Sequence, residues 1–145
     1  MFRPATIAAA AVALAAPGAA AASEYFIVHT LDQDPHEAAA VVREHTEADE
    51  DWLFLAEFGL AGGEVTALKI CYTGITGDLM AAPRHIMAMM PCGHLAFYEE
   101  EGEPTLSMLD LGFMTALEDD PNVAAAADAG NPAFAQLLSD TLGLE

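Results

Sequence analysis

Basic side chains are scarce in this sequence: four lysines and arginines stand against 23 aspartates and glutamates, and the formal net charge is −19. Proteins bind nucleic acid or anionic membranes through basic side chains that displace counterions from phosphates, so this surface repels both. We therefore expect neither as a partner of the folded domain. The charge is typical of an acidic, soluble surface in a saline, exposed compartment; attraction of cations is the alternative function.

Long hydrophobic runs are also few, and the most extended one opens the chain. Arg3 gives a short positive start, residues 7–16 are apolar, and residues 20–22 form a small-residue exit before Ser23. This order predicts a secretory signal peptide over residues 1–22, cleaved after Ala22. The run is too short and alanine-rich to span a bilayer convincingly, and retention as an N-terminal anchor is the alternative. Residues 23–145 then form one exported domain, periplasmic or secreted, with no membrane contact after signal removal.

Motifs of enzyme catalysis are absent. The sequence contains no nucleophile elbow, no Walker loop and no His-Glu-x-x-His pattern. Neither Cys-x-x-Cys nor Cys-x-x-Cys-His occurs, which argues against thioredoxin-type redox work and covalent c-type haem. The acidic runs over residues 47–51 and 99–101 lie at predicted turns and lack the buried surroundings of catalytic carboxylate pairs. A binding or accessory role is favoured over an enzymatic one.

What is present is a regular succession of strand and helix signals. Aromatic and β-branched segments bounded by turn residues predict five strands, over residues 24–30, 51–58, 65–72, 91–99 and 105–109. Helix signals predict four helices, over residues 34–48, 78–82, 113–118 with a continuation after residue 121, and 131–142. Asp34 is expected to cap the first helix, and Asn131-Pro132, a cap followed by proline, to open the last one.

This order predicts an α+β fold, a ferredoxin-like sandwich with helices on one face of a mainly antiparallel sheet of about five strands. In a ferredoxin-like order the first strand lies between the third and the fourth. One-sided burial predicts alternating faces along each strand. The face toward the helices is expected to hold Phe26, Val28, Leu68, Ile70, Leu95 and Phe97. The opposite face is expected to hold Tyr25, Ile27, His29, Ala67, Lys69, Cys71, Cys92, His94, Ala96 and Tyr98.

Two segments between residues 67 and 112 carry a family resemblance. The first is Leu68-Lys69-Ile70-Cys71, a strand that ends in cysteine, and the second is Pro91-Cys92-Gly93-His94 with the strand and acidic turn that follow. Together with the strand over residues 106–110 and the Asn131-Pro132 helix start, they resemble the family called domain of unknown function 302. The resemblance implies a compact α/β fold, often a small dimer, and no settled biochemical activity. We therefore expect a homodimer.

The two cysteines, Cys71 and Cys92, allow several interpretations. In an exported chain they predict a disulfide. In a ferredoxin-like order one strand separates them, which places them about 9.6 Å apart, whereas a disulfide needs Cα atoms within about 7 Å. The alternative function is a thiol-disulfide redox protein that cycles both cysteines. Lys69, two residues before Cys71 on the same predicted face, is the nearest positive charge in the sequence.

The same topology would bring His29, Cys71 and Cys92 to one end of the sheet, with His94 one step further. A set of two cysteines and one or two histidines suits zinc or copper, so the sharpest hypothesis is a metal or small redox-active ligand held there. A secondary copper candidate groups His85, Met87, Met89 and Met90; the alternative is that these methionines fill gaps in the core, as Met80 is also expected to do. A third hypothesis is a structural dimer without ligand, whose interface is formed by Ile27, Ala67, Ala96 and Tyr98.

Overall fold

The computed structural model describes residues 24–89 and 92–144, so the predicted signal peptide and Met90 lie outside the described residues. Within these ranges the chain forms five strands and four α-helices. The strands are β1 (Phe26–Thr30), β2 (Trp52–Leu60), β3 (Val65–Tyr72), β4 (Gly93–Glu100) and β5 (Glu103–Leu109). The helices are α1 (Pro35–Ala48), α2 (Thr76–Ala81), α3 (Phe113–Leu117) and α4 (Pro121–Leu142). None of these helices combines the length and apolarity that a bilayer crossing requires.

The strands form one antiparallel sheet in the order β1-β5-β4-β3-β2. The predicted α+β class, with helices packed on a five-stranded antiparallel sheet, is confirmed. The predicted position of the first strand is wrong, because β3 pairs directly with β4 and β1 lies at the edge beside β5. Strands β2 to β5 form a meander in which each strand pairs with the next, and this leaves β1 only an outer edge.

One face of the sheet packs against the helices. Leu68, Ile70, Leu95 and Phe97 are buried there, as predicted. In β1 the phase is the reverse of the prediction: Phe26 and Val28 are 52% and 47% exposed, while Ile27 packs against the core. His29 shares the phase of Ile27 and therefore lies on the helix-covered side of the sheet. We call the uncovered side, which carries Phe26, Val28, Lys69, Cys71 and His94, the open face.

The helix ends show how side-chain caps fix the boundaries. Asp34 Oδ1 accepts hydrogen bonds from the backbone N–H groups of His36 and Glu37, at 2.9 and 3.1 Å, and so caps α1 as predicted. The predicted helix start at Asn131 is wrong, because α4 is continuous over 22 residues with Pro132 inside it. Asp120 caps its start by accepting a hydrogen bond from Asn122 N at 2.8 Å.

Candidate functional site

The two cysteines meet at the end of the β3–β4 ladder. Ile70 pairs with Gly93, and on the next rung a disulfide joins Cys71 to Cys92 with their Cα atoms 4.5 Å apart. This is the spacing of residues directly opposite each other on neighbouring antiparallel strands. The predicted separation of about 9.6 Å assumed an intervening strand, and β3 and β4 have none between them.

The disulfide forms part of the wall of an apolar pocket of about 310 Å³ that is open to solvent. The pocket lies where the chain leaves β3, runs through α2 and returns toward β4. Its lining contains no acidic, basic or imidazole side chain. The lining residues are Leu53, Cys71, Tyr72, Thr73, Ile75, Thr76, Leu79, Met80, Met87 and Cys92.

The pocket has a buried floor and an exposed rim. Ile75 and Leu79 are buried beneath it, whereas Met80 is 71% exposed and Leu53 51% exposed at its mouth. The hydroxyl of Thr73 is already engaged, since it donates to the backbone carbonyl of Asp51 at 3.0 Å. The site therefore offers thioether, aliphatic and disulfide surface to an apolar group.

An aromatic cluster supports the disulfide from the helix side of the sheet. The ring of Trp52 lies 5.4 Å from that of Tyr72, its cross-strand partner, and 5.0 Å from that of Phe134 in an edge-to-face arrangement. The ring of Phe134 covers the backbone at Gly93, where an added Cβ would clash with it. Glycine at this position thus lets α4 pack directly beneath the residue that follows Cys92.

Lys69 and His94 form the rung two residues before the disulfide, on the same face of the sheet. They pair across β3 and β4, and Lys69 Nζ lies 3.0 Å from His94 Nε2. Partial burial of the ring lowers the pKa of His94, and the neighbouring Lys69 ammonium lowers it further. His94 therefore accepts the hydrogen bond from Lys69 through an unprotonated Nε2 at neutral pH.

The predicted metal set does not assemble. His29 on β1 is separated from β3 by β5 and β4, a distance of about 14 Å across three strand spacings, and it lines a different cavity between β1 and α4. Cys71 and Cys92 bond to each other and so do not present thiolates to zinc or copper. Across the described ranges, no group of three or more His, Cys, Asp or Glu side chains is placed to hold a metal ion.

The described members of the secondary copper candidate have different surroundings. His85 is exposed and pairs with Glu118, which follows α3, while Met89 packs against the core. Met87 alone of the described members faces the disulfide pocket. The described members belong to the 3₁₀ segment Arg84–Met89, and Met90 lies outside the described residues, so the four-residue copper set stays a prediction.

The sequence patterns did not predict several of the residues that line the pocket. Met80, expected to be a packing residue, is the most exposed of the large apolar side chains at the rim, and Leu53 joins the pocket because it pairs with Cys71 across β2 and β3. The available signal was the cysteine at the end of a strand that leads into a short helix. Residues in the connection between β3 and β4 become neighbours of the disulfide because the two strands pair.

Comparisons with known proteins support the fold. No family model matches this chain, and no curated protein matches it. The structure is similar to the crystal structure of an uncharacterized conserved protein, DUF302, from Bacillus stearothermophilus, with a TM-score of 0.69 and 15% sequence identity. The match covers 82% of this chain and 99% of that chain. At this identity the likeness establishes a shared fold, so the resemblance to domain of unknown function 302 is confirmed at the level of the fold.

Proposed function

We propose that this chain is an exported binding protein whose ligand site is the disulfide pocket. The observation that carries the proposal is a solvent-open pocket with an uncharged lining in a chain of net charge −19. Exposed Met80 and Leu53 at its rim leave apolar surface in water, which is characteristic of a binding site. A volume of about 310 Å³ suits an uncharged ring or a short aliphatic chain.

Export rests on the cysteine chemistry and the predicted leader. Disulfides persist in oxidising compartments such as the bacterial periplasm, and Cys71 and Cys92 are bonded. Mass spectrometry of the protein from cell fractions tests the proposal. We expect a periplasmic or secreted chain that begins at Ser23; a full-length chain in the cytosolic fraction would contradict export.

Ligand binding can be tested with a matched pair of dyes. We expect the uncharged dye N-phenyl-1-naphthylamine to bind with enhanced emission, and its anionic analogue 8-anilino-1-naphthalenesulfonate to bind more weakly because the protein surface is acidic. Trp52 is the single tryptophan of the chain and lies 5.4 Å from Tyr72 in the pocket wall, so its fluorescence reports occupancy.

Two charge insertions locate the dye. Met80→Glu places a carboxylate at the pocket rim and should abolish binding of the uncharged dye. Leu117→Glu changes an equally apolar side chain, 66% exposed and outside the lining, and should leave binding unchanged. Equal dye affinity of the two variants would show that the dye does not bind in the pocket.

The open face favours a second function, self-association. Its apolar side chains are about half exposed, and these are Phe26, Val28, Leu53, Phe58 and Leu60. Lys69 and His94 lie in the middle of the face, so two acidic molecules can meet there without opposing carboxylates at its centre. Of the residues expected in such an interface, Ala67, Ala96 and Tyr98 share this face, whereas Ile27 lies on the helix side.

We therefore propose a second copy of this chain as the occupant of the open face. Light scattering of the folded protein should give the mass of a dimer. Phe58→Glu should convert it to a monomer, whereas Leu117→Glu should leave the dimer intact. A wild-type protein that stays monomeric across the measured concentrations would rule out the interface.

A further inference from the structure

Two alternate rungs of the β3–β4 ladder place the Lys69–His94 pair, which carries one positive charge, on the same face of the sheet as the disulfide. Lys69 pairs with His94, and two residues further along the strands Cys71 is bonded to Cys92. Side chains two residues apart share a face of a strand, so the Lys69–His94 pair lies about 7 Å along the sheet from the disulfide. The open face therefore carries a fixed positive charge next to two sulfur atoms.

The charge of Lys69 is not neutralised by a carboxylate. Among the described residues, the ion pairs are Arg43–Glu57, His45–Asp49 and His85–Glu118, and none involves Lys69. Its hydrogen-bond partner is the neutral ring of His94. In a chain with 23 acidic residues this placement puts one positive charge without a carboxylate partner near the sulfur atoms.

The disulfide is accessible, and the strands beside it are also held together by their own pairing. Cys71 and Cys92 are both half-buried and line a pocket open to solvent. The pairing from Thr66 with Phe97 to Ile70 with Gly93 does not involve the sulfur atoms. Two thiols formed by reduction would consequently stay opposite each other, ready to close again.

We propose that the Cys71–Cys92 disulfide exchanges with dithiols in the folded protein, and that Lys69 stabilises the thiolate released in the first step. One thiolate of the dithiol attacks Cys92 Sγ, a mixed disulfide forms, and the electron pair of the broken S–S bond goes to Cys71 Sγ. The second thiolate of the dithiol then attacks the first sulfur of the same dithiol, which is bonded to Cys92 Sγ in the mixed disulfide. This attack releases Cys92 as a thiolate. The dithiol is oxidised to a disulfide, and the cysteines take up two protons as they become thiols.

Lys69 acts in this scheme as an electrostatic positioning residue. A nearby cation lowers the pKa of a cysteine thiol, and a leaving thiol of lower pKa departs faster. The apolar pocket wall, with Leu53 and Met87, would contact the uncharged part of the dithiol. The exchange goes beyond the proposed ligand binding and does not require it. Because the sulfur atoms and Lys69 lie on the open face, a second copy bound there would compete with the dithiol, so the exchange is a property of the monomer.

The experiment measures reduction of the oxidised, folded protein by dithiothreitol, followed by alkylation and mass spectrometry, without denaturant. We expect full reduction with unchanged circular dichroism. Lys69→Gln should slow reduction on the order of fivefold and raise the pH midpoint for alkylation of the reduced cysteines by about one unit. Lys69→Arg should retain the wild-type rate and midpoint.

Arg84→Gln is the matched control, since it removes one exposed positive charge of the 3₁₀ segment. The proposal is overturned if the disulfide resists dithiothreitol until urea is added, or if Lys69→Gln and Arg84→Gln have equal rates and midpoints. If a variant fails to fold, reduction of the wild type without denaturant still tests the proposal.

Discussion

Gly93 is the residue on which the packing behind the disulfide depends most directly. A Cβ at this position would overlap the ring of Phe134, which also makes the edge-to-face contact with Trp52. We expect Gly93→Ala to lower the free energy of unfolding by about 1–3 kcal/mol, because the ring and the start of β4 must move apart. Urea unfolding followed by Trp52 fluorescence measures the loss.

Gly59→Ala is the matched control for this prediction. Gly59 also lies in a strand, β2, but an added Cβ there meets no atom within 4 Å. Its replacement should leave stability unchanged or slightly improved, since alanine restricts the unfolded chain. Equal losses for both variants would mean that the Phe134 contact does not constrain this position.

His94 gives the folded protein a pH dependence of known sign. Burial, and then Lys69, lower the pKa of His94, so the unfolded chain takes up this proton at a higher pH than the folded one. Between the ordinary histidine pKa of about 6.5 and the lower folded value, stability must fall as the pH falls. We expect wild type to lose stability relative to His94→Asn between pH 7.5 and pH 5.5 in urea unfolding. A gain relative to that variant would contradict the prediction.

At the scale of elements, β1 shows where sequence patterns lose their information. Its residues Phe26, Ile27 and Val28 are all apolar, because the open face is apolar as well as the helix side. Alternation identifies the buried face only when the other face is polar. In β3 and β4, Lys69 and His94 mark the open face, and there the predicted phase is confirmed by burial of Leu68 and Leu95.

Helix α4 shows a second limit of sequence patterns, because the Asn131-Pro132 motif does not mark a helix start. Asn131 Oδ1 accepts a hydrogen bond from Leu111 N at 2.9 Å, and its Nδ2 donates to Asp110 Oδ1 at 2.8 Å. The side chain that suggested a helix cap instead joins the middle of α4 to the segment after β5. Local sequence cannot distinguish these uses, because both satisfy the same polar groups.

A pair of substitutions tests this account of α4. Asn131→Ala should lower the free energy of unfolding by about 1–3 kcal/mol, because it leaves Leu111 N without its partner. Pro132→Ala should raise it, because an interior proline removes one helix hydrogen bond. At a true helix start proline is favourable, so destabilisation by Pro132→Ala in thermal unfolding would contradict a continuous α4.

At the scale of the whole molecule, the site follows from strand order more than from motifs. The disulfide was expected from the predicted compartment and disfavoured by the assumed neighbour of β3. The meander of β2 to β5 has two edge strands, and β1 pairs with β5. The residues of β1 do not indicate which of the two edges it joins. The same error in order created the expectation of a metal site, because it placed His29 beside the cysteines.

The net charge of −19 predicts how the whole molecule responds to salt. Only one ion pair in the described ranges, Arg43–Glu57, joins a permanent cation to a carboxylate, so salt screens more repulsion than attraction. We expect the melting temperature to rise by a few degrees between 0.01 and 0.1 M sodium chloride, as the Debye length falls from about 30 to about 10 Å. Replacing the exposed Glu47 and Asp128 with lysine should reduce this rise, because it lowers the self-repulsion of the folded state. A melting temperature that falls with salt would mean that attractive pairs dominate the electrostatics of the fold.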